Sequence, residues 1–165
     1  MHLGDWVAKR ARLYPERPFL KEGDREYSNA NFNGRVNQTA RGLQRLGVPK
    51  GARVMVLMDN SSAFLELFLA CAKIGAVLVP VNTHLAVSEL AHILDNAAPR
   101  VLVYSTAWRD KVKGLAPARE GDPIVLVHGA GGSEDHPTLE ALTAPQPIHE
   151  PTVEAPPLPK ECSVA

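Results

Sequence analysis

Four short apolar runs constrain this chain more than any other feature. They are Arg53–Met58 (RVMVLM), Ala76–Val81 (AVLVPV), Arg100–Tyr104 (RVLVY) and Pro123–Val127 (PIVLV). A strand with one face in water alternates apolar and polar residues, and these do not. Each is also too short for a buried helix. Between them lie helical periods. Ser61–Lys73 is apolar on almost every side, with Glu66 its only interior charge, and it places Phe68 in an enclosed position. Ser88–Asn96 carries Leu90, Ile93 and Leu94 at helical spacing. Apolar strands alternating with helices predict an α/β fold, a mostly parallel sheet flanked by helices. Each strand–helix–strand step crosses over right-handed.

The segment before the first run supplies a cover. Leu3, Trp6, Val7, Ala11 and Tyr14 recur at helical spacing, and Pro15 and Pro18 end that helix. Residues 18–27 read as a small hairpin, with Phe19–Leu20 and Arg25–Tyr27 as strands and Gly23–Asp24 as the turn. Ser28 caps a helix whose stripe is Phe32, Val36, Ala40, Leu43 and Leu46, and Gly47 stops it. From Gly129 the texture changes to Pro and Gly, with one helical turn at Leu139–Leu142. The expected organisation is therefore an α/β subdomain over residues 1–128 and an irregular, incomplete connector or tail over 129–165. No sequence repeat is evident.

Charge and cysteine content remove several classes. With 18 basic and 18 acidic residues in 165, the formal net charge is zero, which disfavours a nucleic-acid surface. No apolar run approaches a membrane span, and the N-terminus lacks the apolar centre of a secretory signal, so the expected location is cytoplasmic. Cys71 lies in an apolar segment and Cys162 in the tail, a spacing that suits neither zinc nor a disulfide. His84 and His92 are too far apart for adjacent helical turns.

Ligands of open parallel sheets bind outside the carboxyl ends of the strands. Pro80–Val81–Asn82 is such an end, and Met58–Asp59–Asn60–Ser61, Ser105–Thr106 and His128–Gly129 are the other rim loops. Asn82 offers an amide to the crevice, or it satisfies its own turn. Gly75 closes the preceding helix. Val125–Ser133 (VLVHGAGGS) runs from a strand into a glycine loop and invites comparison with a phosphate cradle or an oxyanion hole. It lacks the glycine spacing, the following helix and the Lys–Ser/Thr pair of such loops, so an ordinary connector is favoured. Arg35, Arg41 and Arg45, with Lys50 beyond, form either an anion-binding face or a solvated one, and the solvated face is favoured.

The stretches REYSNANFNGRVNQTARGL, LGVPKGARV, NSSAFLELFLACAKIGAVLVPVN and ELAHILDNAAPRVLV follow one another in an order that resembles the N-terminal part of the adenylate-forming superfamily. That superfamily comprises acyl-CoA synthetases, luciferases and peptide-synthetase adenylation domains. The resemblance covers Leu3 to Tyr104 well and the rest loosely. It implies an ATP-dependent acid–thiol ligase. A carboxylate attacks the α-phosphate of ATP to give an acyl-adenylate, and coenzyme A then takes the acyl group. ATP, Mg and CoA are implied for the whole enzyme, with a fatty or related carboxylic acid as substrate. The superfamily's phosphate loop, adenosine motif, ribose-binding Asp and mobile-domain Lys lie beyond the matched residues. The resemblance therefore implies a front piece that contributes no catalytic, cofactor-binding or metal residue. Such a piece is expected to be inactive alone and to self-associate through any apolar face left uncovered. Two positions depart from the usual pattern: Asp59 stands where the family often has Pro, and His84 where it often has Arg. The alternative is a stand-alone flavodoxin-like binding or interaction module without ligase chemistry.

Overall fold

The structure, a computed structural model, describes residues 3–115, 123–129 and 136–152. The four apolar runs form one sheet. They are β3 (Arg53–Leu57), β4 (Val77–Pro80), β5 (Val101–Ser105) and β6 (Ile124–His128), all parallel, in the order β4-β3-β5-β6. Ahead of them come α1 (Leu3–Leu13), a hairpin of β1 (Pro18–Glu22) and β2 (Arg25–Ser28), and α2 (Asn29–Arg45). Helix α3 (Ser62–Ile74) links β3 to β4, and α4 (Val87–Ala97) links β4 to β5. Helix α5 (Arg109–Lys113) follows β5, and α6 (Leu139–Thr143) follows β6.

The strand residues explain their own lack of alternation. Val54, Val56, Val101, Val103 and Leu126 enter one core with α1, α2 and α3, which includes Phe32, Leu43 and Leu67. Their neighbours Met55, Leu57, Leu102, Tyr104 and Val127 enter a second core with Leu90 of α4 and Val112 of α5. Successive side chains point to opposite faces, and both faces are covered, so every position is apolar. The local signals work as the chemistry requires. Ser28 accepts a hydrogen bond from Asn31 N at 3.2 Å and opens α2. The end of α2 is closed by Gly47 N donating to Gln44 O and Val48 N to Leu43 O, with Gly47 at φ +70°. That pairing needs a left-handed residue, which glycine adopts without steric cost. Ser61 caps α3 in the same way, through Phe64 N at 3.2 Å.

Two expectations need correction. Phe68 is not enclosed; it is 39% exposed on the outer side of α3. The helix is apolar all round, yet only one side meets the sheet and α2 among the described residues. Nor is the run Ala76–Val81 buried on both faces. Strand β4 is an edge strand, with Val77 and Pro80 exposed and Leu78 and Val79 half-buried. Beyond β6, the described chain from His136 returns to α2. Thr138 bridges Val127, α6 packs on α2, and residues 144–152 follow that helix through a turn at 144–146 and a bend at 148–149.

Candidate functional site

Strands β3 and β4 end side by side. The last ladder bond is Val81 N to Val56 O, at 3.0 Å. Pro80 has no N–H and sits on the open edge, where its missing donor costs nothing. Past these ends lies an open cleft of about 350 Å³ lined by Met58, Asp59, Asn60, Phe64, Pro80, Val81, Asn82 and Thr83. This is the crevice that the strand pattern predicts.

Its chemistry is mild. Asn82 Oδ1 accepts from His84 N at 2.9 Å, so the side chain closes its own turn, the blander of its two readings. His84 is exposed and lies outside the cleft lining. The lining holds one charge, Asp59, and no cation. Asp59 Oδ2 accepts from Trp108 Nε1 at 3.2 Å, which ties the end of β3 to the turn after β5. From β3 the chain crosses to β4 on one side and then back past β3 to β5. The indole therefore bridges the point where the strand order reverses. Lys111 lies 5.1 Å from the Trp108 ring centre and donates to the Thr83 and Leu85 carbonyls at 2.5 and 2.8 Å. A phosphate entering here would meet a carboxylate and a lysine already engaged.

The rim at β5 and β6 is organised around another carboxylate. His128 Nδ1 lies 2.6 Å from Glu140 Oε1, and Gly129 N donates to the same oxygen at 3.2 Å. Gly129 holds φ +114°, and a Cβ there would come within 3.0 Å of Thr106 Oγ1. The described part of the Val125–Ser133 loop therefore spends its backbone donor on Glu140; Ala130–Ser133 lie outside the described residues. Tyr104 Oη and His136 Nδ1 are 3.1 Å apart on the same rim.

The arginine-bearing helix divides: Arg45, with Lys50 beyond it, is exposed as a solvated face requires, whereas Arg35 and Arg41 are engaged within the fold. Arg35 Nε donates to Glu66 Oε1 at 2.6 Å, and burial pushes the Glu66 carboxyl above its ordinary range against the pull of that guanidinium. Arg41 donates to the carbonyls of His149 and Glu150, at 3.2 and 2.6 Å. Burial raises the Cys71 thiol to about 12, so it behaves as a small hydrophobe. Among the described residues, no group of three His, Cys, Asp or Glu is placed to hold a metal ion. No helix there is long and apolar enough to cross a membrane.

Sequence reasoning missed the polar network of Asn33, Asn37, Lys73 and Glu150. A signal was present. Asn33, Asn37, Arg41 and Gln44 recur at spacings of four, four and three, a second stripe beside the apolar one.

An open parallel sheet with helices on both faces and a crevice at the carboxyl strand ends defines the doubly wound α/β class. Within that class the chain belongs to the AMP-binding enzyme family, whose model matches residues 7–164. It is 38% identical over 117 residues to a feruloyl-CoA synthase from Amycolatopsis sp, covering 71% of this chain and 24% of that protein. It is 38% identical over 151 residues to the long-chain-fatty-acid–CoA ligase FadD13 of Mycobacterium tuberculosis (strain ATCC 25618 / H37Rv), covering 90% of this chain and 30% of that one. A solved fatty acyl CoA synthetase from Mycobacterium tuberculosis superposes with a TM-score of 0.82 at 30% identity, over 93% of this chain and 30% of the other. The chain thus spans about a quarter to a third of the length of these relatives.

Proposed function

We propose that this chain is the N-terminal scaffold of an ATP-dependent acyl-CoA synthetase, which joins a carboxylic acid to coenzyme A through an acyl-adenylate. The observation that carries the reading is the family match over residues 7–164 on the parallel sheet, with relatives named as CoA ligases for feruloyl and long-chain fatty acids. A fatty or related carboxylic acid, ATP and CoA are the substrates this reading assigns to the whole enzyme, and the cytoplasm is its location. Residues 1–128 form the α/β subdomain in this division, and 129–165 the connector.

The described residues do not fit a nucleotide site of their own. The crevice lining carries Asp59 and no cation, and Gly129 N is engaged by Glu140. Adenylate formation needs positive charge and free donors around the α-phosphate as negative charge develops there. We therefore assign no catalytic, cofactor-binding or metal residue to this portion. Its part is to hold a rigid sheet.

The test is carboxylate-dependent exchange of labelled pyrophosphate into ATP. It is run on the 165-residue chain and on a chimera in which this chain replaces the aligned front portion of the mycobacterial ligase. The short chain is expected to be silent and the folded chimera active. Robust exchange by the short chain would overturn the scaffold assignment. Silence of a folded chimera across short, medium, long and aromatic acids would overturn the ligase reading.

A further inference from the structure

Helix α2 has an inner face of Phe32, Val36, Ala40 and Leu43, all fully buried. Its outer face is built differently. Gln38 Nε2 donates to the carbonyls of Ala144 and Gln146 at 3.3 and 2.9 Å. Asn37 Nδ2 donates to Ile148 O at 2.6 Å, Arg41 to His149 O and Glu150 O, and Gln44 Nε2 to Thr152 O at 2.9 Å. Four side chains of one helix thus engage six carbonyls of one segment, which turns at 144–146 and bends at 148–149. Glycines let the segment approach. A Cβ on Gly34 would touch Ile148 at 3.4 Å, and one on Gly42 would stand 3.0 Å from Leu142 of α6, the helix that leads into the segment. Contacts to carbonyls read the path of a main chain and ignore its side chains.

One side chain is read, and it is Glu150. Asn33 and Asn37 donate their amides to Glu150 Oε1 at 2.8 and 3.2 Å. Their own Oδ1 atoms accept from Lys73 Nζ, at 2.8 and 2.7 Å, and Lys73 also pairs with Glu150 Oε2. The ammonium's three protons meet three acceptors, and the ring of four side chains closes on itself. The Lys73 side chain is only 4% exposed, and Gly4 of α1 packs against its stem, where a Cβ would come within 2.8 Å. Removing Glu150 therefore leaves a buried cation one partner short.

We propose that the outer face of α2 is a receptor for a non-helical polypeptide segment read through its carbonyls, that residues 144–152 are its resident strap, and that Glu150 is the anchor that holds the strap in place. The receptor fixes the direction in which the chain leaves the sheet. It does not depend on the ligase reading.

The charged groups around Glu150 set its response to acid. Lys73 faces it from α3, Arg41 of α2 holds its carbonyl, and Asp5 of α1 acts on Lys73; Arg35 of α2 is paired with Glu66 instead. Burial pushes the Glu150 carboxyl up, but Asn33, Lys73 and Asn37 outweigh it and leave the group below its ordinary range. A carboxyl depressed in the docked state favours docking above the ordinary value of about 4.3 and loses that contribution as pH falls through the depressed one. The strap is thus held throughout the neutral range.

The measurement is ¹⁵N relaxation on the 165-residue chain, read at the amides of Gln146, Ile148, His149, Glu150 and Thr152. At neutral pH these are expected to be rigid, with order parameters near ~0.85, and in Glu150→Ala those from Ile148 onward fall below ~0.6. Glu150→Gln, which keeps one acceptor but not the charge, lies between. Gln44→Ala is expected to loosen Thr152 alone. The side-chain amide signals of Asn33 and Asn37 move to free positions in Glu150→Ala. A mobile strap in the unaltered chain overturns the receptor, and a rigid strap in Glu150→Ala overturns the anchor. Loss of the β3 and β5 amide dispersion in Glu150→Ala would overturn both, because the segment would then be part of the core.

Discussion

Strands β3 and β4 read almost alike as sequence and sit in opposite circumstances. Residues 54–57 of β3 are all buried, because β4 and β5 flank the strand and helices cover both faces. In β4, Val77 and Pro80 are exposed and the two residues between them are half-buried, since only β3 pairs with it among the described residues. Helix α3 repeats the contrast around its own circumference. Leu67, Ala70 and Cys71 are buried, while Phe68 is 39% exposed. Apolar composition gives a residue's capacity to be buried. Which residues are buried is decided by which neighbours are present.

The largest expected difference concerns Cys71. In a Cys162→Ser variant, the Cys71 thiol should fail to react with a thiol reagent at pH 8 until denaturant is added. Its value of about 12 lies far above an ordinary thiol. Against an unperturbed value of ~8.5, the thiolate fraction falls by roughly three orders of magnitude, before burial of the sulfur is counted. Rapid labelling of the native chain would mean that the inner side of α3 opens to water. The next effect is on stability. Leu57→Ala in the central strand should cost ~2–5 kcal/mol in a denaturant titration, the range for emptying a buried aliphatic site. Val79→Ala in the edge strand removes less volume from a half-buried place and should cost about 1 kcal/mol. Equal costs would show that β4 is as enclosed as β3.

This contrast also marks what the sequence could and could not disclose. The positions of all four strands were legible, because two-sided burial writes a continuous apolar run into the chain. The cap Ser28 and the stops Gly47 and Gly75 were legible, because each answers a local backbone need. The hairpin turn at Gly23 and the crevice at Pro80–Asn82 follow from equally local or topological rules. Strand order was not legible, since a parallel run does not name its neighbours, and so the edge position of β4 was missed. The strap was hidden for a different reason. Its receptor engages carbonyls, which every residue carries, so residues 144–152 show only Pro-rich connector chain. Lys73 and Glu150 lie 77 positions apart, and nothing local announces their meeting.

The smallest expected effect is at Phe68, and it bears directly on the two sides of α3. An aromatic side chain enclosed in a core costs ~3–5 kcal/mol to remove. Phe68 keeps much of its surface in water, so the truncation Phe68→Ala empties no cavity. It exchanges an exposed ring for a residue of better helix propensity, and the two changes oppose each other. The unfolding free energy of the 165-residue chain, from a denaturant titration, should therefore change by no more than ~0.5 kcal/mol, as for other surface substitutions. Solubility is the second readout. An exposed ring on a helix with little polar surface favours association, and its removal should lower any concentration-dependent increase in sedimentation coefficient. A loss of several kcal/mol for Phe68→Ala would show that the ring is covered after all. If the chain also sedimented as a dimer that the substitution dissolved, the cover would be a second copy of this chain, because none of the described residues supplies one.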